Sequence, residues 1–364
     1  MYISKLSLCN FRNEQNGDIE FIDGINMICG QNAAGKTNLL EAVFMFAAGK
    51  SFRGCHDREM IKFGLDRAEI AIEFHSAAGK KNFSVKMSKN SRREIYREGI
   101  RLTKMSEFLG VFRAVIFMPD HLNLIKGSPE CRRRFIDMAI CQSYPRYVAA
   151  VNEYNRILNQ KNAMLKRDGF DSTLLDVYDD RMALLAGNIT VNRQKFLNLL
   201  SQAVIPFHED MTSGSETIGF VYRSDAGDAN TADEISDAYR RLWHAKRDNE
   251  IERRMTLIGP HKDDFNVLIN GKTAKSYASQ GQQRSAVLSM KLAEGKLSAD
   301  LTGEAPVFLL DDVLSELDDG RQRFILSRIS AGQVLITGCE KNAFGDLRGG
   351  RLISVKDGNI CICT

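Results

Sequence analysis

The chain has 364 residues, of which 43% are hydrophobic and 26% charged, and its formal net charge is +4. This length predicts two or three structural units, and the composition excludes a disordered or fibrous protein. No apolar run approaches the roughly 20 residues that span a bilayer. The alternating polar and apolar start is unlike a signal peptide. With eight cysteines that lack paired spacing, these features predict a cytoplasmic protein with reduced thiols and no membrane partner.

The first part of the chain is predicted to form strands that lead into a glycine loop and a helix. Apolar residues alternate from Ile3 to Leu8, and a second apolar run covers residues 25–29. The loop 30–37 follows directly, and residues 36–47 have the pattern of a mostly buried helix. Strand, glycine loop and helix form the context that a phosphate-binding P-loop requires. Further strands are predicted at 68–74, 82–87 and 113–117.

The glycine loop has the sequence GQNAAGKT over residues 30–37. Its glycines let the backbone curl so that N–H groups surround a phosphate, and the following helix N-terminus adds to the attraction. Lys36 is predicted to reach the β- and γ-phosphates of ATP, and the Thr37 hydroxyl to bind Mg²⁺. The alternative is a glycine turn that precedes a helix by chance.

The middle of the chain is predicted to be helical. Residues 130–200 carry helical stripes of apolar side chains, interrupted near Gly169. We interpret them as a helical hairpin or small lid, far too short for a long coiled-coil arm. A strand at 218–222 and a charged helix at 233–252 follow. The predicted domains are a first lobe at 1–122, a mainly helical insertion at 123–250 and a second lobe at 251–364.

The last third returns to alternating strands and helices. A hairpin is predicted around Asn270-Gly271, helices at 285–297 and 322–329, and buried strands at 307–310 and 333–337. Asp311 and Asp312 follow the first of these buried strands. Asp311 is placed to contact Mg²⁺, and Asp312 to act as a general base on the attacking water. The alternative is a helix N-cap.

A third candidate element is the turn at residues 278–285, which opens a helix. It contains Ser279, Gly281 and Gln282, so a hydroxyl, a glycine amide and a helix N-terminus converge on one anion-binding device. One ATP does not need two such devices in one lobe. The turn is therefore predicted to close over the γ-phosphate of another protomer's ATP. The alternative is a plain helix cap.

At these residues the sequence resembles a known family. Residues 279–282 are similar to the signature motif of ABC-type ATPases, and residues 315–318 are similar to their D-loop. The closer resemblance is to the RecF family of bacterial recombination mediators, which are SMC-like ABC-type ATPases. Segments that carry this resemblance lie at 29–38, 50–53, 117–120, 127–129, 132–137, 259–264, 279–284 and 309–318.

The resemblance implies an α/β fold: a P-loop ABC-type (SMC-like) ATPase head of two lobes with an inserted helical lid domain. It implies a homodimer around ATP and Mg²⁺ and binding to gapped or junction DNA. It also implies cooperation with RecR and RecO to load RecA in gap repair, replication restart and the SOS response. The implied location is the cytoplasm, in association with the nucleoid.

The resemblance also assigns roles to individual residues. Asp311 and Thr37 would bind Mg²⁺, while Asp312 and Lys36 would be catalytic. The predicted nucleotide-binding residues are Gly30, Gln31, Asn32, Ala33, Ala34, Gly35, Lys36, Thr37 and Asn38, together with Ser279, Gly281 and Gln282 acting in trans. Arg12 resembles the arginine that approaches the nucleotide in SMC-like heads, with a surface salt bridge as the alternative.

Two departures from the ABC pattern predict slow hydrolysis, with ATP acting as a dimerisation switch. Asp312 stands where Glu is usual, and Gly338-Cys339 stands where a switch histidine is common. Two other functions remain open at this point: a transporter-type nucleotide-binding subunit and a small-molecule P-loop kinase. Basic clusters near 92–104, 132–134, 166–167 and 240–254 are candidate DNA contacts, with solvated helix faces as the alternative.

Overall fold

The computed structural model describes residues 1–14, 16–167, 169, 173–227, 229–329, 332–339, 350–356 and 359–363, the last segment without its side chains. The chain divides into two compact units, Met1–His121 with Leu288–Thr364, and Leu122–Val287. The predicted domain boundaries after residues 122 and 250 stay a prediction. Among the helices described, none is both long and apolar enough to cross a membrane.

The strands, in chain order, are β1 (Tyr2–Cys9), β2 (Asn16–Glu20), β3 (Ile25–Cys29), β4 (Arg67–Ser76), β5 (Gly79–Ser88), β6 (Glu94–Arg97), β7 (Ile100–Arg101), β8 (Ala114–Phe117), β9 (Ile218–Arg223), β10 (Asp264–Ile269), β11 (Lys272–Thr273), β12 (Val307–Leu310), β13 (Val334–Gly338), β14 (Arg351–Lys356) and β15 (Asn359–Cys363). The helices are α1 (Lys36–Ala48), α2 (Asp57–Met60), α3 (Asn123–Lys126), α4 (Pro129–Ser143), α5 (Pro145–Leu165), α6 (Thr173–Thr212), α7 (Ala232–Arg253), α8 (Ala274–Tyr277), α9 (Gln280–Thr302) and α10 (Asp319–Ile329).

The first unit contains two sheets. One is antiparallel with the order β2-β1-β4-β5-β6-β7, and its strands alternate buried and solvent-facing residues. The other has the order β15-β14-β3-β13-β12-β8, in which only the β14–β15 pair is antiparallel. Strands β8, β12 and β13 are buried at every residue, as expected for parallel strands covered on both faces.

This strand order positions the candidate site. The glycine loop leaves the carboxyl end of β3, and the acidic pair leaves the carboxyl end of β12. Strand β13 lies between them. Because parallel strands end at the same edge of a sheet, the loop, the acidic pair and the end of β13 meet there.

The second unit is mainly helical, with the small sheet β11-β10-β9 beside its helices. Its core includes Trp243, which stacks on Tyr239 at a ring-centroid distance of 5.4 Å. The Lys161 side chain is only 1% exposed and contacts Asp179 at 2.6 Å and Glu250 at 2.7 Å. A buried ion cluster therefore joins α5, α6 and α7.

Most predicted elements are confirmed, and the largest differences are the greater lengths of helices α6 and α9. Helix α6 continues to Thr212, about 60 Å in all. Val204 and His208 extend the four-residue spacing of buried positions beyond Leu200, and Pro206 is accommodated within the helix. Helix α9 begins at Gln280, five positions before the predicted start. In the predicted hairpin, Asn270 and Gly271 have φ of 50° and 74°, as a type I′ turn requires.

Candidate nucleotide site

The backbone of residues 30–37 curls as a phosphate-binding loop. Ala33 and Gly35 have φ of 66° and 114°, so successive amides turn toward one centre. Gly30 lies against β14, where a Cβ atom would be 2.3 Å from the carbonyl oxygen of Val355. Only glycine fits at this position, which explains the first glycine of the motif.

The Lys36 ammonium lies over this loop with 4% of the residue exposed. It donates to the carbonyl oxygens of Gly30 at 2.8 Å and Gln31 at 3.2 Å. Asn32 accepts a hydrogen bond at Oδ1 from the Cys339 thiol at 2.9 Å. The ammonium is thus held at the centre of the loop, where phosphate oxygens would bind.

The second half of the site is the pair Thr37 and Asp311. The Thr37 hydroxyl donates to Asp311 Oδ1 at 2.8 Å, although the two residues are 274 positions apart. Thr337, at the end of β13, donates to the same oxygen at 3.0 Å. Burial raises the pKa of Asp311 above its ordinary value, and the two hydroxyl donors and the positive charge of Arg53 oppose that rise.

These residues fit a magnesium ion. A hydroxyl and a carboxylate 2.8 Å apart supply the hard oxygen ligands that Mg²⁺ prefers. Asp311 is 8% exposed, and a cation would offset the cost of its buried charge. Thr37 and Asp311 would hold the ion, and the ion would neutralise negative charge on the phosphates.

Asp312 adopts a left-handed backbone conformation with φ of 51°. Its amide donates to the Thr337 hydroxyl at 2.9 Å, and its carbonyl accepts from the hydroxyl of Ser315 at 2.7 Å. A non-glycine residue in this conformation is strained and persists only where its surroundings hold it. Thr337 and Ser315 therefore hold the backbone of Asp312 in this conformation directly beside Asp311.

Arg12 is held by an ion pair rather than left at the surface. Its guanidinium donates to both carboxylate oxygens of Glu41, at 2.9 and 2.7 Å, and to the carbonyl of Glu59 at 2.9 Å. Glu41 lies on α1 and is fully buried. The guanidinium of Arg12 donates to these acceptors within the chain, so its predicted approach to the nucleotide stays a prediction.

The residues after Arg12 contact the glycine loop directly. Asn13 donates to the carbonyl of Ala34 at 3.2 Å and accepts from Asn38 at 2.6 Å. The carboxyl of Glu14 packs so close to Gly35 that a Cβ atom there would be 2.8 Å away. No spacing signal in the sequence marks Glu14, which was therefore not predicted as a site residue.

Arg53 is a second residue that the sequence analysis left without a role. Its guanidinium donates to Asn38 Oδ1 at 3.0 Å and lies 3.5 Å from a carboxylate oxygen of Glu41. Burial raises the pKa of Asp311, and Arg53 is close enough for its positive charge to oppose that rise. The segment 50–53 carried part of the family resemblance, so the signal was present.

Ser279, Gly281 and Gln282 belong to the second unit and open helix α9. The amide of Gln282 donates to Ser279 Oγ at 3.2 Å, and the amide of Ser279 donates to Gln282 Oε1 at 2.8 Å. This reciprocal arrangement is a capping box. Ser279 itself is exposed, so its hydroxyl proton is available to an anion.

The parallel sheet, the loop after β3 and the acidic pair after β12 define a P-loop ATPase head. A family model described as RecF/RecN/SMC N terminal domain matches residues 2–359. The solved head of an Smc protein bound to the winged-helix domain of ScpA has a TM-score of 0.59 at 16% identity, covering 100% of this chain and 97% of that one. That likeness concerns the fold alone.

More similar proteins are found among the RecF proteins. The DNA replication and repair protein RecF of Clostridium perfringens is 40% identical over 337 residues, 93% of this chain and 92% of that protein. RecF of Geobacillus kaustophilus is 38% identical over 335 residues, 90% of each chain. A solved structure of the recombination mediator protein RecF with ATP has a TM-score of 0.93 at 32% identity. The match covers 100% of this chain and 98% of that one.

The chain belongs to the RecF family. The predicted fold class is thereby confirmed: an α/β, SMC-like P-loop ATPase head with an inserted helical region.

Proposed function

We propose that this chain is an ATP-switched, DNA-binding recombination mediator. The observation that carries the proposal is the Thr37–Asp311 hydrogen bond of 2.8 Å, which joins the glycine loop and the acidic strand into one site for ATP and Mg²⁺. The solved relative with a TM-score of 0.93 is described as RecF bound to ATP. The residues 30–38 would bind the nucleotide.

The proposed active unit is a homodimer with two composite sites. Lys36 would neutralise phosphate charge, and Asp312 would accept a proton from the attacking water. Ser279, Gly281 and Gln282 of the second protomer would bind the γ-phosphate in trans. The exposed capping box, whose Ser279 proton is free to donate, supports this role.

Hydrolysis is proposed to be slow. Asp312 is one methylene shorter than the glutamate of most ABC-type ATPases, so its carboxylate reaches less far toward a water. Cys339 stands at the switch position, where a histidine is common in ABC-type ATPases. Its thiol donates to Asn32. A thiol lacks the second ring nitrogen with which histidine relays a proton. ATP would therefore serve mainly to hold the dimer together.

DNA is the proposed macromolecular partner, because the similar proteins are described as DNA replication and repair proteins. Several arginines of the predicted basic clusters are engaged internally: Arg93 with Asp57, Arg132 with Asp264, Arg240 with Asp180 and Arg247 with Asp176. Arg92, Arg97 and Lys104 are exposed and are the better candidates for phosphate contacts. RecR and RecO, and indirectly RecA, are the proposed protein partners in gap repair.

The first experiment is light scattering with and without ATP and Mg²⁺. We expect a dimer only with ATP, a monomer for Ser279→Arg under all conditions, and loss of ATP binding in Lys36→Ala. A wild-type monomer at saturating ATP would refute the composite site. Full ATP affinity in Lys36→Ala would refute the role assigned to that lysine.

The second experiment is binding to gapped duplex DNA across a salt series. We expect tighter binding with ATP, and a slope against salt that reports the number of phosphate contacts. Indifference to DNA together with co-purification with membranes would favour a transporter-type subunit. Phosphoryl transfer to a small molecule by a monomer would favour a kinase.

A further inference from the structure

The side-chain amide of Gln282 is held at both ends. Its Oε1 accepts from the amide of Ser279, and its Nε2 donates to Glu216 Oε1 at 3.0 Å. An ionised carboxylate only accepts hydrogen bonds, so Glu216 selects the NH₂ end of the amide. The oxygen end must then face Ser279. Glu216 therefore sets the orientation that completes the capping box.

Glu216 lies in the segment 213–217, whose backbone is held by hydrogen bonds on both sides of this residue. Before it, helix α6 is closed by hydrogen bonds from Gly214 to the carbonyl of Glu209 at 2.9 Å and from Ser215 to the carbonyl of Thr212 at 3.1 Å. After it, Thr217 exchanges hydrogen bonds with Asn270, at 2.8 and 2.9 Å. These hydrogen bonds fix the backbone position from which the Glu216 carboxylate extends.

The second oxygen of Glu216 is buried and faces His208. Glu216 Oε2 lies 3.5 Å from Nε2 of His208, which is fully buried on α6. The Glu216 side chain is 16% exposed. It lies between a buried ring on one side and Gln282 on the other, which restricts its rotation.

We propose that Glu216 is the positioning residue of the signature turn at residues 279–282. By fixing the Gln282 amide, it keeps the Ser279 oxygen as an acceptor for the Gln282 N–H and leaves the hydroxyl proton for a phosphate oxygen. The first amides of α9, which have no intrahelical acceptor, add to the same anion site. This inference rests on the proposed trans contact between Ser279 and the γ-phosphate.

The test uses the full chain and measures two quantities: ATP affinity at protein concentrations too dilute for dimers, and the protein concentration for half-maximal dimerisation with ATP. Glu216→Ala should leave the first unchanged and raise the second about tenfold or more, as loss of a hydrogen bond to a charged group predicts. Glu216→Gln keeps an acceptor oxygen and should restore most of the dimerisation. Glu209→Ala, at an exposed residue of the same helix end, is the matched control and should behave as wild type.

A double-mutant cycle separates this role from a general effect on folding. Gln282→Ala and Glu216→Ala should each weaken dimerisation, and the double variant should be little worse than Gln282→Ala alone, because Glu216 acts only through Gln282. Additive losses, equal losses in Glu216→Ala and Glu216→Gln, or wild-type dimerisation in Glu216→Ala would overturn the inference. If Glu216→Ala does not fold, the comparison of Glu216→Gln with Gln282→Ala decides.

Failure of the inference can be told from failure of the proposed function. If Ser279→Arg dimerises with ATP like the wild type, the trans contact itself is wrong. If Ser279→Arg abolishes dimerisation while Glu216→Ala does not affect it, only the positioning role of Glu216 is wrong.

Discussion

The ammonium nitrogen of Lys36 lies 3.8 Å from the sulfur of Cys339, where β13 ends beside the glycine loop. The same thiol contacts Asn32, and Cys339 is exposed. A residue at the switch position is therefore in direct contact with two residues of the predicted phosphate site.

This contact predicts that alkylation of Cys339 blocks ATP binding, because the adduct would occupy the space of the phosphates. ATP should in turn protect the thiol. The measurement is N-ethylmaleimide labelling followed by peptide mass spectrometry, with exposed Cys9 as the internal control that ATP does not protect. Cys339→Ser should bind ATP and resist the reagent. Equal labelling of Cys339 with and without ATP would contradict the prediction.

Replacement of Gly30 by alanine should destabilise the first unit. The new Cβ would lie 2.3 Å from the Val355 carbonyl oxygen, so β3 and β14 would have to separate locally. Overpacking of this kind costs about 1–3 kcal/mol. Urea unfolding followed by circular dichroism measures the change. Gly219→Ala in β9, where no atom lies within 4 Å of the new Cβ, is the control; equal effects of the two substitutions would count against the argument.

Replacement of Lys161 by methionine should destabilise the second unit by about 3–5 kcal/mol. The change removes the cation that lies between Asp179 and Glu250. Arg247 still lies 3.4 Å from Asp179, but the buried Glu250 carboxylate loses its contact with Lys161, and an unpaired buried charge is costly. Trp243 is the single tryptophan of the chain and lies 5.3 Å from the Lys161 ammonium, so its fluorescence reports unfolding there.

The control for this substitution is Lys296→Met. Lys296 pairs with Asp300 at 2.7 Å on an exposed helix face, and removal of such a pair should change stability by less than about 1 kcal/mol. A loss in Lys161→Met no larger than that in the control would show that the buried cluster contributes little.

Glu14 should make stability depend on pH. Its carboxyl oxygens are buried and have no hydrogen-bond partner among the described residues. Burial raises its pKa from 4.5 to about 7, and Lys62 opposes that rise. Between these pH values the folded chain keeps a proton that the unfolded chain has lost. The contribution of Glu14 to the free energy of unfolding is therefore fully present below about pH 4.5. It is lost as the pH rises through 7.

Glu14→Gln should remove this dependence, since the amide carries no proton to lose. The variant should be more stable than the wild type at pH 8, by on the order of 2 kcal/mol, and similar to it at pH 5. Urea unfolding of both proteins at the two pH values measures the difference. The same difference at pH 5 and pH 8 would show that Glu14 does not titrate in this range.

The local motifs of this protein were determined by the sequence itself. The loop 30–37, the apolar run before Asp311 and the turn at Asn270-Gly271 are contiguous, and each depends on backbone conformations and burial patterns that neighbouring residues encode. Prediction was weaker at helix ends: α6 continues through Pro206 because packing against the core outweighs the local preference.

The family resemblance already predicted that Thr37 and Asp311 share one ion, but only the tertiary structure decided how distant residues meet. Thr37 reaches Asp311 because β13 lies between β3 and β12, and strand order is not encoded in the periodicity of any one strand. Glu14 and Glu216 carry no motif, and Arg53 lies in a segment of the family resemblance that assigns it no role. Each acquires its position from chain segments that lie far away in sequence, since the free energy that brings such residues together belongs to the packing of the whole unit.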